Sequence, residues 1–504
     1  MDCRLIVTTD VHGSVSPYSY SDHQEINAGL AKLAGIIFDY KSDNSLLLDN
    51  GDILQGSPLL YHHYLFHKEK INPMAKVTNY LEYDYLNTGN HDFNFGDKAM
   101  LAFYRDAKAK WITGNILKDQ TPINKPYIIH AFPNGVKIAI IGCVTHYIPN
   151  WEHPDNIVGY TFVNCLEFVK NTVELIKNNE TVDHIICLYH GGVEKDVKTG
   201  VATEALTGEN QGYEICRQID ELDVLITGHQ HQSFVANING TTITQCAQDG
   251  QEIVVIDIFK DKIEAKVIKA GPDIDDNILT LIKDEEKSTQ AWLDVPLGRL
   301  AHGDLLVNDM FEARLHKHPL VSFLNQVQKA ETNVDISSIG LANHVVGFRN
   351  EISMRDIISS YVYPNTLVVV ELSGKALKKA LEKSAEYFAV KDSQIVVSES
   401  FKKPKPKHYN YDMFDGIDYT IKVSNPIGER IIDLTYQGQP IEDERLYQVA
   451  MNNYRAVGGG DFHMYKKARV IKDTQKHIVD SIADYIIERK IIEVDHQDNI
   501  KVII

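Results

Sequence analysis

Five short segments in the first 231 residues run through β-branched and apolar side chains and stop at groups that can ligate a metal. They are LIVTTDVHG (Asp10, His12), LLLDNGD (Asp52), YLNTGNHD (Asn90, His91), HIICLYHGG (His190) and DVLITGHQH (His229, His231). Carboxylate, amide and imidazole donors gathered at one edge of a sheet make an oxygen- and nitrogen-lined site for two divalent ions. Two such ions, about 3.5–4 Å apart, can clamp a phosphoryl group and lower the pKa of a shared water. Taken singly each segment is weak, since DxH occurs by chance, Asn50-Gly51 suits an ordinary turn and a lone His190 is commonly a satisfied structural histidine. Five in this order, each at the end of an apolar run, weaken the bland alternative sharply.

Residues two apart on a strand share a face, so Asp10 and His12 are expected to bind one ion together, and His229 and His231 to point inward from a strand edge. The elements that must carry them alternate strand-like and helical stretches over residues 1–270. KIAIIGCVTH (137–146), DHIICLYHGG (183–192) and EIVVIDIF (252–259) are continuous apolar runs, expected for strands covered on both faces. CLEFVKNTVELIKNN (165–179) is an amphipathic helix between them. IDDNILTLIKDEEKSTQAWL (274–293), ahead of Pro-Leu-Gly, predicts one charged connector helix. From about 300 the pattern becomes mixed helix and strand, an α+β domain with its own core. The expected division is 1–273, a linker at 274–300, and 301–504. KKPKPKH (402–408) predicts a Pro-Lys loop.

The 504 residues exceed one core. The six cysteines form no CxxC pair and read as buried thiols. A formal charge of −18 argues against long nucleic acids as partners, while a small phosphorylated substrate remains open if metals supply local positive charge. No apolar run reaches the roughly 18 residues that span a bilayer, and no secretory signal opens the chain, so a cytoplasmic protein without a membrane partner is expected. Oligomeric state is not legible.

D-x-H, G-D, G-N-H-[DE], H-G-G and G-H-x-H in this order resemble the signature of the calcineurin-like metallophosphoesterases. YPNTLVVVELSG (363–374), YNYDMFDGIDY (409–419) and MNNYRAVGGGDF (451–462) resemble the C-terminal domain of the 5′-nucleotidase family. The resemblance implies a four-layer α/β/β/α metallophosphoesterase sandwich, holding the dimetal centre, followed by an α+β substrate-binding domain. It implies Asp10, His12, Asp52 and His231 around one ion, with Asp52 bridging to a second held by Asn90, His190 and His229. Mixed oxygen and nitrogen ligands accept Mn²⁺, Zn²⁺, Fe or Co²⁺.

The resemblance also makes His91 a charge stabiliser over the phosphate. Many 5′-nucleotidases orient that histidine with a carboxylate three residues on, but here the position holds Asn94. An amide can fix the ring but cannot stabilise an imidazolium as an aspartate does. In the family two aromatic rings sandwich the base, which by alignment are Phe462 and Tyr411. Asn365 would present an amide to the ligand, and Gly459 and Gly460 would leave room for it. The family's GGGIR arginine is missing from SIGLANHVVGF (338–348), which carries Asn343 and His344 instead.

These features together are similar to the branch acting on 2′,3′-cyclic nucleotides and imply a 2′,3′-cyclic-nucleotide 2′-phosphodiesterase with 3′-nucleotidase activity on small nucleotides. A 5′-nucleotidase or nucleotide-sugar hydrolase is the alternative enzyme. A non-catalytic nucleotide-binding protein is the alternative of another class, and His91 speaks against it, because a binding module needs no transition-state group. A nucleic-acid nuclease is disfavoured by the charge.

Overall fold

The computed structural model describes residues 1–504 except Glu204, Ala205, Pro364 and Pro404 and the side chains of Lys467 and Gln475. Two proline positions singled out in the sequence, in YPNT and in KKPKPKH, thus lie outside the described residues. The chain divides into two compact units, Met1–Thr289 and Gln290–Ile504.

Alternation along the strands of the first unit sorts apolar side chains onto two faces, and both faces are buried. One six-stranded sheet runs in the order Lys262–Lys269, Glu252–Phe259, Cys3–Thr8, Ser45–Asp49, Tyr85–Leu86, Lys110–Trp111. The other runs Phe234–Ile238, Thr241–Gln245, Val224–Ile226, His184–His190, Lys137–Val144, Ile128–Ala131. Leu5, Val7, Leu46 and Leu48 of the first sheet share a core with Ile138, Ile140, Ile186 and Leu188 of the second. The intervening residues face outward. Ile6 and Leu47 meet the helix side chains Leu33, Ile37 and Val77. Ala139, Ile141 and Cys187 meet Val169, Val173 and Ile176 of the helix Cys165–Asn179. Three cores between four layers make the α/β/β/α sandwich.

Cys3–Thr8, Ser45–Asp49 and Tyr85–Leu86 are parallel, as are Lys137–Val144, His184–His190 and Val224–Ile226. Their carboxyl ends are therefore on one edge of each sheet, the usual place for a site in parallel sheets. Asn87 ties the two edges together, its amide donating to the carbonyls of Cys143 at 2.9 Å and Leu188 at 3.2 Å.

All six cysteines are buried and unpaired. No described helix is long and apolar enough to cross a membrane.

The stretch 274–300 is not one helix. It forms Asp276–Leu281 and Lys283–Leu293, then the strand Pro296–Leu300. Ile278 and Ile282 are drawn into the first unit's core, and the break at Ile282 separates that anchored turn from the charged helix beyond.

In the second unit a five-stranded sheet runs Asp412–Asp415, Ile336–Gly340, Leu446–Asn452, Thr366–Ser373, Arg469–His477. The helix Pro319–Thr332 packs on Ile336–Gly340, and Gly374–Ala385 on Thr366–Ser373.

Candidate dimetal site

Apart from His190, the last residue of the strand His184–His190, the ligand residues lie beyond the strand ends. Cys3–Thr8 ends before Asp10, and Val224–Ile226 ends before His229. Asp10, His12, Asp52, His229 and His231 all have left-handed backbone, with φ of 53°, 53°, 58°, 67° and 55°. For an L-residue other than glycine this costs roughly 1–2 kcal/mol each, and it persists only where surroundings impose it. The strand-face argument for Asp10 with His12 is therefore replaced by two left-handed turns that swing both side chains to one side.

The surroundings that impose it are hydrogen bonds. Asp92, fully buried, accepts from the backbone N–H groups of Asp52 at 3.2 Å, Ile53 at 2.9 Å, Leu54 at 2.9 Å and Gly89 at 2.7 Å. Gly89 is required there, because a Cβ would lie 2.1 Å from Asp52 Oδ1. The His229 N–H donates to Asp10 Oδ1 at 3.0 Å.

Asp10, His12 and His231 offer ligand atoms that converge in one group, and Asp52, His190 and His229 in a second. His12 Nδ1 donates to the Gln55 carbonyl and His190 Nδ1 to the Asn50 carbonyl, both at 2.8 Å, which leaves each Nε2 lone pair for a cation. Asn90 Oδ1 stands 2.8 Å from His229 Nδ1 and so joins the second group. His229 is oriented in turn by Glu209, 3.0 Å from its Nε2. Trp151 stacks on the same ring, with centroids 5.3 Å apart.

These donors fit divalent ions. His12 Nε2 and His231 Nε2 face each other at 3.1 Å. His190 Nε2 and Asp52 Oδ2, 3.1 Å apart, are both buried without a hydrogen-bond partner. Burial alone would raise Asp10 and Asp52, yet His190 beside them holds both below the usual carboxylate range. Burial also opposes charge on His190, yet the Asp52 and Asp10 carboxylates push it up to about 10. Carboxylates held ionised at so buried a place call for positive charge beside them, which a divalent ion on the His190 Nε2 lone pair would supply in place of a proton.

His91 lies beside the centre, its N–H donating to Asp52 Oδ1 at 2.6 Å and its ring edge-on to His12 at 5.5 Å between centroids. Asn94 Oδ1 is 2.7 Å from His91 Nδ1, so the amide does hold the ring.

The sequence motifs of the second unit also converge. Arg455, fully buried, donates to both oxygens of Asp412 at 2.8 and 3.0 Å and to Asn410 Oδ1 at 3.3 Å, joining NNYR to YNYD. A Cβ on Gly460 would lie 2.2 Å from Asn410 Oδ1, so packing alone demands glycine there, and Gly459 would meet the Tyr454 ring at 2.6 Å. Phe462 is buried under the Arg455 guanidinium, 4.1 Å from the ring centroid, and stacks on Tyr465. Tyr411 is buried and stacked on Tyr387. Asn365 is half-buried, its carbonyl accepting from Ile478 N–H at 2.9 Å. Within SIGLANHVVGF, Asn343 is engaged by Pro406 and His408, and His344 is exposed. An arginine does reach this stretch from elsewhere in the chain. Arg314 donates to the carbonyls of Leu341 at 3.1 Å and Ala342 at 2.6 Å.

Asp92, Glu209, Trp151 and Glu152 escaped the sequence reading. Asp92 lies inside the G-N-H-[DE] block, where its type was a usable signal; the others lie in loops with no spacing to mark them.

The family model for calcineurin-like phosphoesterases matches residues 3–233, and that for the 5′-nucleotidase C-terminal domain matches 296–467. A Staphylococcus aureus protein assigned as a 5′-nucleotidase, solved in complex with α-ketoglutarate, is 32% identical with a TM-score of 0.92, covering 100% of both chains. The chain belongs to the 5′-nucleotidase family. As a calcineurin-like phosphoesterase of that family it is a metal-dependent phosphoric ester hydrolase. Among other relatives, the trifunctional nucleotide phosphoesterase protein YfkN of Bacillus subtilis is 28% identical over 98% of this chain, which spans 38% of that protein's length. The 2′,3′-cyclic-nucleotide 2′-phosphodiesterase/3′-nucleotidase of Salmonella typhimurium is 28% identical, covering 92% of this chain and 83% of the relative.

Proposed function

We propose that this 5′-nucleotidase family member hydrolyses small nucleotides with two divalent ions, as a 2′,3′-cyclic-nucleotide 2′-phosphodiesterase with 3′-nucleotidase activity. The observation that carries the hydrolytic reading is the convergence of two ligand groups on buried Asp52 and Asp10, with the His91 backbone N–H bonded to Asp52 and its ring edge-on to His12. The cyclic preference is supported by the Salmonella relative's name, by Asn94 in place of a carboxylate, and by the lack of an arginine within SIGLANHVVGF.

In this reading Asp10, His12 and His231 hold one ion, Asn90, His190 and His229 the other, and Asp52 is shared. Bound there, the ions neutralise phosphoryl oxygens and lower the pKa of a water. His91, its Nδ1–H donating to Asn94 Oδ1, has Nε2 left over, and a proton carried there would meet charge on the transferring group or the leaving oxygen. Mixed oxygen and nitrogen donors suit Mn²⁺, Zn²⁺, Fe or Co²⁺.

A 5′-nucleotidase is the second reading, favoured by the Staphylococcus aureus structure at 32% identity. A panel of 2′,3′-cyclic, 3′- and 5′-mononucleotides, assayed after reconstitution with Mn²⁺, separates the two. Turnover of the 2′,3′-cyclic and 3′ substrates is expected; preference for 5′-monophosphates would replace the first reading with the second.

The second unit is proposed to hold the nucleoside through Asn365, Gly459 and Gly460, with Tyr411 and Phe462 on the base. Base stacking contributes roughly 1–3 kcal/mol and tolerates any base. Phe462→Ala is therefore expected to lower nucleotide turnover at least about tenfold more than turnover of bis(p-nitrophenyl) phosphate, which has no base. Phe462 also packs under Arg455, and truncating a buried ring costs roughly 3–5 kcal/mol, so the variant must first be shown folded by its melting curve. Equal losses on both substrates would make the ring a core residue only.

A further inference from the structure

Three side chains lead in line away from the site. His91 Nδ1 meets Asn94 Oδ1 at 2.7 Å, and Asn94 Nδ2 donates to Glu152 Oε2 at 2.6 Å. Glu152 is itself held, its Oε1 accepting from His153 N–H and from Asn156 Nδ2, both at 2.8 Å. Asn156 Nδ2 also reaches the Asn94 carbonyl at 3.3 Å. Trp151, the residue before Glu152, stacks on His229, so this loop touches a candidate ligand and the His91 side of the centre together.

An amide is two-faced, and nothing in Asn94 alone decides whether its oxygen or its nitrogen meets the imidazole. A carboxylate only accepts. With Glu152 on the far side, the amide nitrogen must turn outward and the oxygen inward. The inward oxygen in turn requires a hydrogen on His91 Nδ1. We infer that Glu152 is a positioning residue for the hydrolysis: acting through Asn94, it fixes one hydrogen on His91 Nδ1, so that Nε2 is the nitrogen that faces the substrate and carries the second proton, the one that donates to it. The inference rests on His91 acting on the phosphoryl group, as proposed above.

The structure also alters what Asn94→Asp should do. The new carboxylate would face Glu152 across the present 2.6 Å contact, and two carboxylates so close repel. The test is a cycle of Glu152→Gln, Asn94→Asp and the double variant, with metal-loaded protein and bis(p-nitrophenyl) phosphate. The introduced glutamine can donate as well as accept, which frees Asn94 to flip. Glu152→Gln is expected to lower kcat about 10–100-fold, as loss of an orienting partner commonly does, with KM, bound metal and Tm unchanged. Asn94→Asp alone is also expected to lose activity.

In the double variant the new aspartate needs no orienting, because both its oxygens accept, and the new glutamine can donate to it. Most of the wild-type kcat should return. Losses that multiply in the double variant, or an intact Glu152→Gln, would overturn the inference, since a carboxylate that only braces its own loop gives no rescue. Nitrogen chemical shifts of His91 give a reading independent of turnover: Nδ1–H in the wild type and a mixed or reversed tautomer in Glu152→Gln. An unchanged tautomer would refute the role of Glu152 even if activity fell. Wild type with the Nδ1–H tautomer but no turnover would count against the proposed hydrolysis instead.

Discussion

Asp52→Ala protein is expected to hydrolyse no phosphodiester and to retain neither ion tightly. In the proposed arrangement Asp52 is the carboxylate shared by the two ions. Its Oδ1 accepts the His91 N–H at 2.6 Å, and its Oδ2 lies 3.1 Å from His190 Nε2. Removing it leaves His190 buried beside Asp10 alone, at 4.0 Å, and takes away an anion that a cation in either group would use. Losing one partner of a buried charged cluster costs about 3–5 kcal/mol, well beyond the few-fold effects of trimming an exposed ligand. His12→Ala, by contrast, removes a ligand from one group only and should weaken one ion while the other remains. Elemental analysis after exhaustive dialysis decides it: two tightly bound ions per chain in Asp52→Ala would refute the shared carboxylate.

His91→Ala is expected to keep both ions and lower kcat by about 10²–10³, the loss typical of one transition-state donor. The separation is possible because the ring of His91 belongs to neither ligand group, while its backbone N–H, which the substitution preserves, supports Asp52. Metal content and the melting curve should therefore match the wild type while turnover falls. A change confined to KM would make the ring a ground-state binding group. Loss of metal in parallel with kcat would make it part of the ligand shell.

Much of this site was legible before any coordinates because its chemistry is written in residue type and order. The five motif blocks supplied each candidate ligand, and the apolar runs before them marked strands whose carboxyl ends lie at one edge. The helix Cys165–Asn179 and the strands Lys137–Val144 and Glu252–Phe259 appear where hydrophobic patterning predicted them, since local periodicity and burial agree there. The connector does not: its polar pattern predicts a single helix, whereas Ile278 and Ile282 pack into the first unit's core and the helix is interrupted at Ile282, a contact that local pattern does not reveal.

Residue type and order carry the set of donors, their succession along the chain and the family resemblance. How those donors are aimed is a matter of folding. Asp and His tolerate left-handed backbone better than most residues, but nothing in the sequence marks which of them adopt it at Asp10, His12, Asp52, His229 and His231. The turn at Asp52 is held by Asp92 and by Gly89 giving way to it, those at Asp10 and His12 by their N–H bonds to the Gly51 and Asp52 carbonyls, and that at His229 by its N–H bond to Asp10. The same holds for Glu152. It lies 58 residues from Asn94, and no periodicity connects them. Hydrogen bonding between loops is a property of the folded surface rather than of either segment, so a carboxylate that orients His91 through an amide becomes visible only once both loops are in place.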